Sequence, residues 1–127
     1  MNSTSYEAPD TNLCPIAATI REVGSESKLV VVRYLSEGER GFNSLMKVSR
    51  LSPKTLSSTL KALEKEDIVT RSVLSTRPFK VEYSLTEKGR DLGPVLEKMG
   101  EWGKRWLNRN NSADTEASLN VSAGDAR

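Results

Sequence analysis

Histidine is absent from this chain of 127 residues, and cysteine occurs once, at Cys14. Without histidine and with a single thiol, the common metal sites and the Ser/His and Cys/His nucleophile arrangements cannot be assembled. The carboxylates stand beside Lys or Arg, a pattern typical of solvated helix faces. We therefore expect no enzyme activity, no metal and no cofactor. A lone cysteine also excludes an internal disulfide framework. The absence of such a framework is typical of proteins from a reducing compartment.

Long apolar runs are missing as well, and no stretch approaches the roughly 20 residues that a membrane span needs. The N-terminus lacks the basic and apolar regions of a signal peptide, so we expect a cytoplasmic protein without membrane contact. With 36% hydrophobic and 28% charged residues, the chain can form one domain around a modest core. We expect a folded domain at residues 13–107, a flexible N-terminal tail at residues 1–12 and a disordered C-terminal tail at residues 108–127.

Negative charge is missing from the middle of the chain. Residues 40–63 contain no Asp or Glu, although the chain has 17 of them. Residues 40–80 carry nine Lys or Arg against three acids, a charge of +6, and since the whole chain carries +2, the remainder carries −4. A basic block in an otherwise acidic chain indicates a polyanion partner, and the alternative is a solvated positive face without a ligand.

The acid-free stretch contains a helix with two different faces. Ser52 is a capping residue and Pro53 suits the first helical position. Leu56, Leu60 and Leu63 follow at i, i+4 and i+7 and form one apolar stripe. A solvated helix would mix Glu with Lys for pairing, but the outer face here has only cations and hydroxyls: Lys54, Thr55, Ser57, Ser58 and Lys61.

Apolar periodicity and capping residues predict the other elements. Residues 68–74 and 79–85 alternate with the period of strands and form a hairpin with a cationic tip at residues 75–78, with Phe79 and Tyr83 in the core. The first helix is predicted at residues 13–23, with Asn12 as cap and Pro15 in the first turn, and the second runs from a cap at Ser27 to Gly38. A third is predicted at residues 43–49, with Leu45 and Val48 buried beside Phe42. The last helix follows a cap at Thr86, with Gly89 as a packing or backbone constraint and a kink or break at Gly93-Pro94.

The last helix carries a heptad seam formed by Leu92, Val95, Met99, Trp102 and Trp106. In so short a chain, little core remains for this seam to cover, so we expect it to pair with a second copy of the chain. The alternative is that the seam only covers the chain's own core.

This order of elements is that of a winged helix-turn-helix, an α+β fold that is mainly α, with a two-stranded hairpin as wing and a long C-terminal dimerisation helix. The second helix of the motif enters the major groove of double-stranded DNA, where a carboxylate would face phosphates. We expect Arg77 and Lys80 on the wing to reach a flanking minor groove or phosphate. Arg40, Lys47 and Arg50 are expected to contact phosphate, which positions a protein without specifying sequence.

The sequence also resembles the MarR-like winged-helix regulators of the HxlR type. The resemblance covers roughly residues 13–107, and its most specific part is VEYSLTEKGR at residues 81–90. It also rests on Cys14-Pro15, on Trp102-Gly103, and on FNSL at residues 42–45, LSPKTL at 51–56, LKALE at 60–64 and IVTR at 68–71. The resemblance implies a homodimeric transcription regulator, usually a repressor, on a short palindromic operator.

Cys14 has two interpretations. In relatives of the HxlR type, a cysteine in this region senses oxidants or electrophiles, sometimes by cross-linking subunits, and a position near a helix N-terminus favours the thiolate. The alternative is a small buried hydrophobe in the first helix.

Two other functions fit the same pattern. A winged-helix domain can instead bind an acidic protein partner through its basic face. A general DNA-coating protein would bind with similar affinity everywhere, which the Ser- and Thr-rich helix face disfavours. The sequence names no effector.

Overall fold

The structure is a computed structural model that describes residues 14–107, so the predicted tails and the Asn12 cap lie outside the described residues. By their contacts these residues form two units that divide between Leu92 and Gly93. The first unit contains α1 (Pro15–Val23), α2 (Glu26–Leu35), α3 (Phe42–Ser49), α4 (Pro53–Lys65), β1 (Val69–Thr76), β2 (Phe79–Leu85) and α5 (Glu87–Arg90). The second contains α6 (Gly93–Trp106).

The first two helices begin at other residues than the sequence indicates. Cys14 occupies the N-cap of α1, followed directly by Pro15. Ser25, not Ser27, caps α2, and its hydroxyl accepts a hydrogen bond from the Lys28 backbone N–H at 3.2 Å. The predicted cap at Ser27 was wrong because this side chain faces α4 and accepts a hydrogen bond from Thr59 at 3.1 Å.

The turn between α3 and α4 is built from three local features. Arg50 ends α3 in the left-handed conformation, with φ 63°, and so reverses the chain. Ser52 then caps α4, since its hydroxyl accepts a hydrogen bond from the Thr55 N–H at 3.1 Å, and Pro53 begins the helix. The start predicted for α4 is thus confirmed, and Leu56, Leu60 and Leu63 are all buried.

The core of the first unit lies between helices α2, α3 and α4 and the base of the hairpin. Burying apolar side chains stabilises the fold by about 25 cal/mol per Å² removed from water. The buried apolar residues are Val23, Val31, Val32, Leu35, Leu45, Leu56, Leu60, Leu63, Ile68, Val69, Tyr83 and Leu85.

The hairpin extends well beyond this core. Its strands are antiparallel and run from the Val69–Leu85 pair to the Thr76–Phe79 pair, so the turn is only Arg77-Pro78. The register shifts by a bulge between Val73 and Ser75. Tyr83 is buried as predicted, but Phe79 is 63% exposed. The prediction of a buried Phe79 was wrong because this residue adjoins the turn, beyond the end of the core.

A short helix follows the hairpin. Thr86 caps α5 as predicted, with its hydroxyl accepting from the Gly89 N–H at 3.0 Å. A Cβ on Gly89 would clash with the backbone carbonyl oxygen of Ile68, which confirms the predicted constraint at this glycine as one of packing. Helix α5 ends at Arg90, and a turn at Asp91 and Leu92 lies just before the predicted kink. Gly93 and Pro94 instead begin α6.

The second unit, taken by itself, is a helix of 14 residues in which no described residue is buried. Val95, Met99, Trp102 and Trp106 recur along it, each about half exposed. Leu92, the first residue of the predicted seam, precedes α6 and belongs to the first unit. Across residues 14–107, every helix is too short or too polar to cross a membrane.

Candidate nucleic-acid interface

Helix α4 has a solvent-exposed face opposite its buried leucines. Lys54, Thr55, Ser58 and Lys61 are exposed on this face, while Ser57 is half-buried at its edge. With a rise of about 1.5 Å per residue, the two lysines stand roughly 10 Å apart along the helix. The face thus presents two cations with short hydroxyl side chains between them.

The hydroxyl groups of this face are partly engaged within the helix. Ser52 donates to the Thr55 hydroxyl oxygen at 3.0 Å, and Ser58 donates to the Thr55 backbone carbonyl at 3.1 Å. In this arrangement Thr55 keeps a hydroxyl hydrogen to donate, and Ser58 keeps an oxygen lone pair to accept. The face therefore offers both a hydrogen-bond donor and a hydrogen-bond acceptor to a base edge.

Eight of the nine cations of the basic block have no carboxylate partner among the described residues. The salt bridges among the described residues join Lys28 to Glu66, Arg40 to Glu37, Lys88 to Glu22 and Lys98 to Glu101. Within the described range, the following have no carboxylate within 4 Å: Lys47, Arg50, Lys54, Lys61, Lys65, Arg71, Arg77 and Lys80. These eight charges are available to a polyanion.

Arg40 differs from the other cations because its guanidinium group donates hydrogen bonds to three protein groups. It donates to the Tyr34 carbonyl at 3.3 Å, the Ser44 hydroxyl at 3.0 Å and Glu37 at 3.0 Å. Its backbone also pairs with Tyr83 in both directions, at 3.1 and 2.8 Å. These contacts hold the loop before α3 against α2 and β2.

The other predicted contact residues lie on the turn and the wing. Lys47 is exposed on α3, and Arg50 is exposed in the turn that leads into α4. Arg77 is exposed in the hairpin turn, where its backbone N–H donates to the Ser75 hydroxyl at 3.2 Å. Lys80 is exposed on β2, opposite Ser75. These residues and the outer face of α4 belong to one unit.

A polar cluster at the C-terminal end of α4 was not found from the sequence. The Lys28 ammonium donates to the Glu66 carboxylate at 2.6 Å and to the Glu22 backbone carbonyl at 2.8 Å. Lys88 pairs with the Glu22 carboxylate at 2.7 Å and donates to the Glu66 backbone carbonyl at 2.9 Å. The acid at the end of α4 therefore ties this helix to α1, α2 and α5. The partners are distant in sequence, so no local spacing indicated the cluster.

Cys14 is exposed at the N-cap of α1. Hydrogen bonds from the backbone N–H groups of Ala17 and Ile16 lower the pKa of its thiol, because they stabilise the thiolate. The interpretation of Cys14 as a buried hydrophobe was wrong, since the side chain precedes the helix and faces solvent.

An apolar stripe is exposed on α1, and another is exposed on α6. On α1, Ile16 and Ile20 are 70% and 61% exposed and stand one helical turn apart, a pair that the sequence reading did not single out. On α6, Met99 and Trp102 are 53% and 59% exposed. Exposed apolar side chains in a row indicate a surface that associates with another molecule.

A helix-turn-helix with an acid-free outer face, followed by a hairpin with a cationic tip, defines the winged-helix class of DNA-binding proteins. The family model of HxlR-like helix-turn-helix proteins matches residues 22–111, and the chain belongs to this family. The resemblance noted in the sequence is thereby confirmed.

Relatives and solved structures agree with this assignment. YdeP of Bacillus subtilis, an HTH-type transcriptional regulator, is 34% identical over 105 residues, which is 82% of each chain. The reduced form of the transcriptional regulator YodB from B. subtilis superposes with a TM-score of 0.65 at 31% identity, over 76% of this chain and 97% of that one. The redox regulator HypR in its oxidised form gives a TM-score of 0.68 at 35% identity, over 72% and 96% of the two chains. These proteins are transcription regulators rather than enzymes, and this chain is a DNA-binding transcription regulator.

Proposed function

We propose that the protein is a homodimeric repressor that binds a short palindromic operator sequence-specifically. The observation that carries this proposal is the outer face of α4, where two lysines with no carboxylate within 4 Å across residues 14–107 flank hydroxyl groups. Such a face can enter the major groove without repelling phosphate and can bond to base edges. Because its proposed ligand is chromosomal DNA, the protein would act in the compartment that holds the chromosome, which we propose is the cytoplasm.

Each contact residue has a proposed role. Lys54, Thr55, Ser58 and Lys61 read the major groove, and the half-buried Ser57 adds a contact at the edge of this face. A second group binds phosphate or the flanking minor groove and sets the register of the protein on the duplex, namely Arg77, Lys80, Lys47 and Arg50. Arg40 contributes indirectly, because its guanidinium group is engaged in fixing the loop before α3.

Dimerisation is the second part of the proposal. The α6 stripe of Val95, Met99, Trp102 and Trp106 is exposed along its whole length, and its spacing suits pairing with a second helix. The exposed Ile16 and Ile20 on α1 add apolar surface of the same kind. A twofold dimer would present two copies of α4 to two half-sites about one helical turn apart.

The test of this proposal is a capture experiment with fragmented genomic DNA from the source organism at about physiological salt. Enrichment of a few sequences that share an inverted repeat is the expected result. Uniform retention of all fragments would instead favour a DNA-coating protein. No retention would favour a module that binds an acidic protein.

We expect the double variant Met99→Ser/Trp102→Ser to be monomeric at concentrations where the wild type is a dimer. Each substitution removes a large, half-exposed apolar side chain from the proposed seam, and such anchors typically contribute 2 kcal/mol or more, roughly a 30-fold change in dissociation constant each. Sedimentation velocity over a concentration series would measure the change. The matched control is Lys104→Ser, an exposed polar position on the same helix. Equal masses for the wild type and the double variant would refute the proposed interface.

A second candidate function is redox sensing at Cys14, favoured by its exposure and by the backbone hydrogen bonds that lower the pKa of its thiol. A chain with one cysteine cannot form an internal disulfide, so the oxidised thiol would pair with Cys14 of a second subunit or with a small thiol. The structural relative HypR is itself a redox regulator.

We expect diamide to change the operator affinity of the wild type and to leave that of Cys14→Ser unchanged. Because the pKa of the thiol is lowered, the thiolate persists to a lower pH than in an unperturbed cysteine. The pH midpoint of iodoacetamide alkylation should therefore lie below that of a cysteine in a short unstructured peptide measured in parallel. Identical responses of wild type and variant to the oxidant would eliminate Cys14 as the sensor.

A further inference from the structure

The wing carries an apolar row that leaves the core and continues to the tip of the hairpin. Residues two apart on a strand share a face, so Tyr83, Val81 and Phe79 lie on one side of β2. Tyr83 is buried, Val81 is half-buried and Phe79 is 63% exposed. Val73, opposite Val81 on β1, is 49% exposed and extends the row. The ring of Phe79 is exposed at the end of a row that otherwise faces the core. Such an exposed aromatic side chain indicates a surface that a binding partner covers.

The surroundings of this row show which kind of partner fits it. Arg77 and Lys80 lie at the distal end of the hairpin, and Arg71 lies opposite Tyr83 nearer its base. Across residues 14–107 none of these three cations has a carboxylate within 4 Å. This positive charge opposes pairing with the same hairpin of a second copy and favours a polyanion. The occupant must therefore combine negative charge at its rim with an apolar interior, and the minor groove of DNA, with stacked bases between two phosphate rows, meets this requirement.

The length and tip of the hairpin suit this groove. With eight residues at about 3.3 Å each, β1 is roughly 26 Å long. The minor groove that flanks a major-groove site lies about half a helical turn away, roughly 17 Å along the duplex axis. The turn is only Arg77-Pro78, which makes the tip narrow, and the bulge after Val73 twists the distal part of the hairpin. Phe and Pro are both among the residues that other proteins insert between base steps in the minor groove.

We propose that the wing inserts Phe79 as an apolar wedge between two base pairs of the flanking minor groove and so bends the operator. Arg77 and Lys80 bind the phosphates on either side of the groove. Pro78 precedes Phe79, Val81 follows it two residues later, and both add apolar surface next to the ring. Flexible pyrimidine–purine steps in the flanks would be preferred, because they unstack most easily. This inference rests on the proposed operator binding and adds specificity outside the bases that α4 contacts.

The test uses the fragment most enriched by genomic capture, with 2-aminopurine at successive adenine positions in the outer flanks. Unstacking of a neighbouring base raises the fluorescence of this analogue. The full-length wild type is expected to raise the signal roughly threefold or more at one flank position, and Phe79→Ala is expected to abolish the rise. Phe79→Leu should keep part of it, because Leu can also act as a wedge. Leu74→Ala is the matched control, since Leu74 is 54% exposed on the same hairpin but lies at the bulge.

The outcomes separate the wedge from the proposed function. Failure of the wild type to bind any duplex overturns both. Tight, sequence-specific binding without a fluorescence change, or with the same change in Phe79→Ala, overturns the wedge alone. A shift in oligomeric state on Phe79→Ala, measured by sedimentation, would also overturn it, because the ring would then belong to a protein interface.

Discussion

Replacing Lys54 and Lys61 together by Ala is expected to abolish specific DNA binding at physiological salt. Both ammonium groups are exposed on the outer face of α4 and have no carboxylate within 4 Å among the described residues. Loss of one such contact costs about 1–3 kcal/mol, so two in each subunit of a dimer lower the affinity by at least roughly a thousandfold. Fluorescence anisotropy with a labelled operator would measure the loss.

The salt dependence of binding gives a second readout for the same variant. Where one of these lysines contacts phosphate in addition to a base edge, its loss should reduce the slope of log K against log salt by about 0.9. The matched control is the double variant Arg21→Ala/Lys104→Ala, which removes the same net charge from exposed positions outside the basic block. Equal affinity losses in the two double variants would mean that only net charge matters, which contradicts a defined interface on α4.

Leu60→Ala should lower the free energy of unfolding by about 2–5 kcal/mol. Leu60 is 1% exposed and lies in the middle of the apolar stripe of α4, so its truncation leaves a cavity that the surrounding helices fill only partly. Since domains of this size are typically stable by about 5–15 kcal/mol, the variant would lose a large share of its stability. Urea denaturation followed by circular dichroism would measure it.

Leu74→Ala is the control for this measurement. The same atoms are removed from a side chain that is 54% exposed, so the expected change is within about 0.5 kcal/mol. Similar losses in the two variants would show that the described packing of α4 is not the source of stability.

The helix-turn-helix could be predicted because its signals are local. Ser52 and Pro53 define the start of α4 within two residues, and the leucine spacing alone separates its buried face from its outer face. The position of the recognition helix, and with it the proposed reading residues, therefore followed from about a dozen consecutive residues.

Other features could not be predicted because they depend on partners far away in the chain. Ser25 and Ser27 are both serines, so residue type alone does not show which of them caps α2. Ser27 faces inward because its hydroxyl accepts a hydrogen bond from Thr59 on α4. The strand period correctly places Phe79 on the same face as Tyr83, but it does not show where the core ends. Arg40 was one cation among many until the structure showed its three hydrogen-bond partners.

Through Lys28, the first helix and the recognition helix are held in one relative position. Its ammonium group bonds the last turn of α1, at the Glu22 carbonyl, and the end of α4, at Glu66. A displacement of α1 by more than about 1 Å would break one of these bonds, since hydrogen bonds fail beyond such a change. Where the bond to Glu66 is the one that breaks, its carboxylate loses the cation paired with it, and one oxygen of this carboxylate is already buried without a partner among the described residues. A shift of α1 that breaks either bond would therefore remove part of the support for the C-terminal end of α4.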